Sequence, residues 1–170
     1  TTGSGAVPRL VTRVVRSMSH RLTSAPYHSL ICVERYRGEQ MPAKGDIIHL
    51  HGWFTALFPL YLQTYYKDEP LFSDSKIISS IYGPDFESPF SKKFFDKVAF
   101  DKIDESHLES LKKANYESLI SLAIKHSDGL ILSAENVPPA VVEEVEKSKK
   151  PHLNFNDSKN EEVYIDFYSN

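Results

Sequence analysis

Two histidines spaced two apart, His49 and His51, run into Gly52, Trp53 and Phe54, and these are the residues of the chain best placed for chemistry. On a strand, residues i and i+2 share a face, so the two imidazoles point the same way. Imidazole pairs bind metals, but a metal site needs three or four ligands. No Cys-x-x-Cys or His-Glu-x-x-His spacing supplies the others, so no metal ion is expected. His107, His126 and His152 are scattered and read as surface residues. Glu143, Glu144 and Glu146 among Lys147, Lys149 and Lys150 read as a solvated helix face rather than an acid–base pair. No catalytic residue and no cofactor is assigned on these grounds.

The elements that must hold the histidines follow from the pattern around them. Residues 46–51 are β-branched and apolar enough for a short buried strand, Gly52 permits a tight turn, and the apolar run 53–67 suits a helix. Pro59 would kink that helix at its seventh residue. In an open parallel sheet such a junction lies at the carboxyl end of a strand, where ligands bind, and a helix N-terminus there offers backbone N–H groups to an anion. Residues 76–82 make a second strand closed by Gly83 and Pro84, and residues 129–133 a third. Helices are expected over 91–98, 104–113, 115–125 with Asn115 as the cap, 138–147 opened by two prolines, and 160–168. Strands alternating with helices predict an α/β, Rossmann-like parallel sheet with right-handed crossovers.

Composition sets wider bounds. The 170 residues suit one domain, with 41% hydrophobic and 25% charged residues. No apolar run is long enough to span a bilayer, and Cys32 is the only cysteine, so an intrachain disulfide is excluded and a cytoplasmic location is the expectation. The net charge of −3 is unevenly spread. Every arginine lies at or before Arg37, and residues 1–44 carry +5 against −8 over residues 45–170. Residues 1–44 show no sustained period and are broken by Pro8, Pro26 and Pro42, although residues 11–22 can form one basic amphipathic helix. Four readings of this segment stay open: an organellar transit peptide, a surface for nucleic acid or anionic lipid, a cloning remnant, or a stretch translated out of frame. The segment is therefore set apart from a domain over residues 45–170, for which no nucleic-acid or membrane partner is expected.

The stretch from Asp46 to Leu57 resembles the D-x-x-H-x-H-D-W-H-T-A-L segment of bacterial glycogen and starch synthases, glycosyltransferase family 5. Residues 65–72, 75–82 and 123–131 are similar in turn to a short Bacteroidetes-type subgroup of that family, so the resemblance covers about residues 46–170. It implies the N-terminal, acceptor-side half of a GT-B glycosyltransferase, with a sugar or glucan as ligand. Carried over residue by residue, it places the sugar at His51, Gly52, Trp53, Phe54 and Tyr82.

Departures from the family pattern qualify that implication. Gly52 and Phe54 stand where the family has aspartate and histidine, and Ser80-Ile81-Tyr82-Gly83 stands where it has T-I-H-N. No K-T-G-G-L loop occurs, and no arginine after Arg37 can hold a departing diphosphate. The expectation is a partial or degenerate synthase-type domain, inactive alone. One alternative is an interaction module docking on a separate donor-binding domain or on a second copy. Another is an active retaining glucosyltransferase using ADP-glucose.

Overall fold

The computed structural model describes residues 11–12, 33–36, 47–70, 72–86, 89–91, 93–98, 103, 105–113 and 115–169. Their strands are β1 (Val11–Thr12), β2 (Val33–Tyr36), β3 (Ile47–His51), β4 (Lys76–Ile81), β5 (Gly129–Leu132) and β6 (His152–Leu153), joined in that order in one sheet. The pairs β3–β4, β4–β5 and β5–β6 are parallel, while β1–β2 and β2–β3 are antiparallel. The parallel part and its helices make this the expected α/β, Rossmann-like arrangement. The antiparallel extension is an addition that the aperiodic sequence before residue 45 did not signal. Residues 11–12, expected at the start of an amphipathic helix, are strand; residues 13–22 lie outside those described.

The helices are α1 (Phe58–Gln63), α2 (Lys93–Val98), α3 (Tyr116–His126), α4 (Pro139–Ser148) and α5 (Glu161–Ser169). Parallel strands laid down in consecutive order send their crossover helices to one face. There α1, α3 and α4 bury Leu60, Tyr61, Leu119, Ile120, Leu122, Val141 and Val145 together with Ile81, Leu130 and Leu132 of the sheet. The last helix, α5, takes the opposite face. Its Val163, Tyr164, Phe167 and Tyr168 pack on Ile47, Ile78, Ile131 and Leu153.

Asn115 caps α3 as the sequence predicts: its side chain accepts from the Ser118 amide at 3.0 Å, and the Ser118 hydroxyl accepts from the Asn115 amide at 3.1 Å. At the other end of α3, Lys150 Nζ donates to the carbonyls of Ile124, Lys125 and Ser127 at 2.6–2.7 Å, satisfying groups the helix leaves open.

Two helix expectations need correction. The single kinked helix over 53–67 is a 3-10 turn, Trp53–Thr55, followed by the six-residue α1. Pro59 falls in the first turn of α1, where a missing N–H costs nothing, so it starts a helix instead of kinking one. The helix expected over 104–113 is a 3-10 stretch, Glu105–Lys113. Leu108 and Leu111, both fully buried, are three residues apart, and a helix of three residues per turn stacks them on one line toward the core.

Candidate functional site

At the carboxyl ends of β3 and β4 the backbone turns away from the sheet and leaves a mouth. Gly52 makes the turn after β3 at φ +73°, a region that side chains strain to enter, and its amide donates to the Ser80 carbonyl at 3.0 Å. The amides of Thr55 and Ala56 donate to the carbonyls of Gly52 and Trp53. Those two amides are therefore already bonded, and α1 begins six residues beyond Gly52. A 3-10 turn, not the expected α-helix, starts at this junction.

Parallel register sets which side chains meet. His49 lies opposite Ile78 and His51 opposite Ser80, so each histidine reaches one step along β4 on its own face. His49 Nε2 lies 2.7 Å from Ser80 Oγ, and His51 Nδ1 lies 3.2 Å from the Tyr82 hydroxyl. The two imidazole rings are 4.0 Å apart between centroids. They do share a face, as the spacing predicts, but their surroundings differ. His49 is 1% exposed, and burial, with a smaller contribution from charge on His51, lowers its pKa to about 3. His51 is half-buried at the rim.

Trp53 and Phe54, in the turn after β3, stack at 3.7 Å and 26°. Phe54 and Tyr82 are the large hydrophobic residues left exposed among those described, at 56% and 40%. Trp53 Nε1 donates to Asp85 Oδ2 at 3.2 Å and its ring meets Phe86 at 4.7 Å, which anchors the lip to the segment after β4. The Tyr116 hydroxyl, from the first turn of α3, donates to the Tyr82 carbonyl. Burial, and then the nearby Asp85 charge, pushes the pKa of Tyr116 up to about 12, so the donor keeps its proton. Gly83 follows, where a Cβ would sit 2.2 Å from the end of the Asn136 side chain, so Asn136 lies directly against this turn.

Of the five residues singled out in the sequence, His51 and Gly52 lie against Tyr82, while Trp53 and Phe54 stack on each other and join the segment after β4 through Asp85. Ser80, Asp85, Tyr116 and Tyr168 were missed. Ser80 shares the alternation of Tyr82 and is recoverable from a register; Tyr116 and Tyr168 carry no signal in their own stretches. One surface assignment is overturned. His126 is 6% exposed, bonded through Nδ1 to Gln63 Oε1 at 3.0 Å, and lies against His107 on the α1–α3 side. Among the described residues, no three His, Cys, Asp or Glu side chains are grouped to hold a metal, and no helix is long and apolar enough to cross a membrane.

The mouth offers aromatic faces beside hydrogen-bonding edges: the His51 ring, the Tyr82 hydroxyl and the Asp85 carboxylate. Flat rings bury apolar C–H surface while polar edges hold hydroxyls, and the Asp85 charge disfavours a phosphate.

Comparison with known proteins agrees in kind. The family model of the starch synthase catalytic domain matches residues 27–148. The glycogen synthase of Thermotoga petrophila is 36% identical over 56 residues, 33% of this chain and 12% of that protein. That of Thermodesulfovibrio yellowstonii is 30% identical over 67 residues, 39% of this chain and 13% of that protein. The glycogen synthase of Chlorobium luteolum is 26% identical over 92 residues, 54% of this chain and 18% of that protein. The chain therefore spans less than a fifth of the length of each of these relatives. No solved structure matches.

Proposed function

This chain belongs to the starch synthase catalytic domain family, and on that footing we propose that its mouth binds the non-reducing end of a glucan or a related sugar. The observation that carries the reading is the pair of exposed rings, Phe54 in the turn after β3 and Tyr82 after β4, with His51 against Tyr82 and Asp85 bonded to Trp53. Exposed rings cost solvation unless a partner covers them, and sugar rings present both the C–H faces and the hydroxyls that such a mouth can use. Gly52 and Phe54 remove two polar groups that the family pattern would place here, so binding is weak and rests on stacking.

These 170 residues, assayed by themselves, transfer no glucose from a nucleotide sugar. Developing charge on a departing diphosphate needs fixed cations, and none of the residues after Arg37 is an arginine. A donor-binding domain supplies that half of the chemistry. Trp53 is the only tryptophan, so its fluorescence reports on the lip directly. Titration with maltooligosaccharides should give a saturable change that Phe54→Ala weakens about two- to tenfold. A flat titration, with NMR signals of His51 and Tyr82 also unmoved, defeats the sugar reading. Radiolabelled incorporation from ADP-glucose into glycogen should stay at background; incorporation proportional to protein would show a donor site in these residues.

A further inference from the structure

Directly beneath the mouth, the buried His49 ring is held from two elements that the sequence separates widely. Its Nε2 meets Ser80 Oγ on β4 at 2.7 Å, and its Nδ1 meets the hydroxyl of Tyr168, near the end of α5, at 2.7 Å. A neutral imidazole has one donor nitrogen and one acceptor nitrogen. Both are engaged, and at 1% exposure no bulk water can replace either partner. The ring is therefore fixed in position and plane by two hydroxyls, and because each can donate or accept, either neutral tautomer is satisfied.

His51 lies on this fixed ring, 4.0 Å away between centroids and tilted by 36°, and itself meets the Tyr82 hydroxyl. A continuous line of contact runs from α5 through His49 to His51 and Tyr82. The helix is seated for this role. Tyr164 and Tyr168, four residues apart on one helical face, both approach His49, at 6.4 and 5.8 Å between centroids. Phe167 lies against Gly129, where a Cβ would come within 3.0 Å of its ring, so α5 approaches β5 as closely as a glycine allows.

We propose that Tyr168 is a positioning residue for the mouth: its hydroxyl holds the position and plane of the His49 ring, His49 sets the ring of His51, and docking of α5 is thereby coupled to ligand binding. The ligand half of this inference rests on the sugar reading above; the positioning half does not. Because coupling is reciprocal, a ligand on His51 also tightens the seating of α5.

Tyr168→Phe keeps the ring and deletes only the hydroxyl. In the unaltered chain, histidine ¹⁵N NMR should show His49 as a neutral ring. In Tyr168→Phe both His49 nitrogen shifts should change, the His51 ring signals should move, and maltoheptaose affinity read from Trp53 fluorescence should fall about fivefold, the worth of one hydrogen bond. Val163→Ala loosens the packing of α5 without touching His49 and should leave the His51 ring signals in place. If Tyr168→Phe leaves the His51 signals unmoved, or moves them no more than Val163→Ala does, the positioning role is overturned. Equal maltoheptaose affinity in the two proteins overturns the coupling. Should His51 respond while neither protein binds maltoheptaose, the positioning role stands and the sugar reading fails. Ser80→Ala, which releases the other nitrogen of His49, carries the same readouts if Tyr168→Phe does not fold.

Discussion

The two faces of this sheet are built differently. Under α1, α3 and α4 the strands present Leu50, Ile77, Ile81, Leu130 and Leu132 with one polar residue, Ser79, bonded to Ser127, and aliphatic side chains make most of the contact with the sheet. Under α5 the same strands present His49, His51 and Ser80 among Ile47, Ile78 and Ile131, met by the rings of Tyr164, Phe167 and Tyr168. Aliphatic packing gains free energy in proportion to area and has no preferred hydrogen arrangement. A polar layer gains less net energy but fixes each side chain by direction. One face holds the sheet together, and the other orients the groups that reach the mouth.

The sharpest way to break that distinction is to truncate the aliphatic face. Leu122 of α3 is fully buried in the core on this side, so Leu122→Ala should cost about 3 kcal/mol in urea unfolding, through lost transfer energy and a cavity. A loss below about 1 kcal/mol, at the low end of core truncations, would mean that the face can collapse and does not carry the fold.

Each face also contains one buried histidine held neutral, which makes pH the second test. Burial lowers His49 to about 3; on the other side burial, then the charges of Lys125, His107 and Lys150, lower His126 to about 4. Both folded values lie below the ordinary histidine value of 6.5. The unfolded chain therefore binds more protons as acid is added, so this stability is intact above pH 6.5 and is lost as pH falls from there toward 4. Each histidine should contribute up to about 2 kcal/mol of the loss between pH 7 and pH 5. Urea midpoints across that range, repeated on His126→Gln, should show about half of the slope removed. An unchanged slope would place the acid sensitivity elsewhere.

The sequence made the aliphatic face easier to read than the polar one. Isoleucine-rich β4, the Asn115 cap and the paired prolines of α4 are local signals, and the structure places elements within a residue or two of them. Two-residue β6 is too short to show alternation, and β2 follows a segment without period. The co-facing of His49 and His51 was legible because strand geometry guarantees it. Their different burial was not, since it depends on Tyr168, 119 residues away from His49, and on a register that no local pattern fixes.

A smaller effect probes the α5 face alone. A methyl at position 129 meets Phe167 at 3.0 Å, so Gly129→Ala should displace α5 and cost about 1 kcal/mol, as modest overpacking does. Because α5 seats His49, NMR signals of the His51 ring should move in this variant while those of Leu119 and Leu122 on the other face stay in place. Signals moving equally on both faces would show that the sheet transmits strain as one body and that the distinction between its faces is only compositional.

The smallest effect on stability should accompany the largest on binding. Phe54 is 56% exposed, and its ring stacks on Trp53. Truncating an exposed side chain that fills no cavity usually changes stability by less than about 0.5 kcal/mol, so Phe54→Ala should unfold at nearly the urea concentration of the parent chain. The lip it leaves behind is Trp53 alone. An aromatic stack contributes about 0.5–1.5 kcal/mol, so maltooligosaccharide binding should weaken about two- to tenfold and pass out of the range in which a weak site saturates. Phe54→Tyr, which restores the ring and adds a hydroxyl, should recover it. Were Phe54→Ala instead to lower the unfolding midpoint as far as Leu122→Ala does, Phe54 would be part of the aliphatic core, and the exposed rings would no longer mark a binding surface.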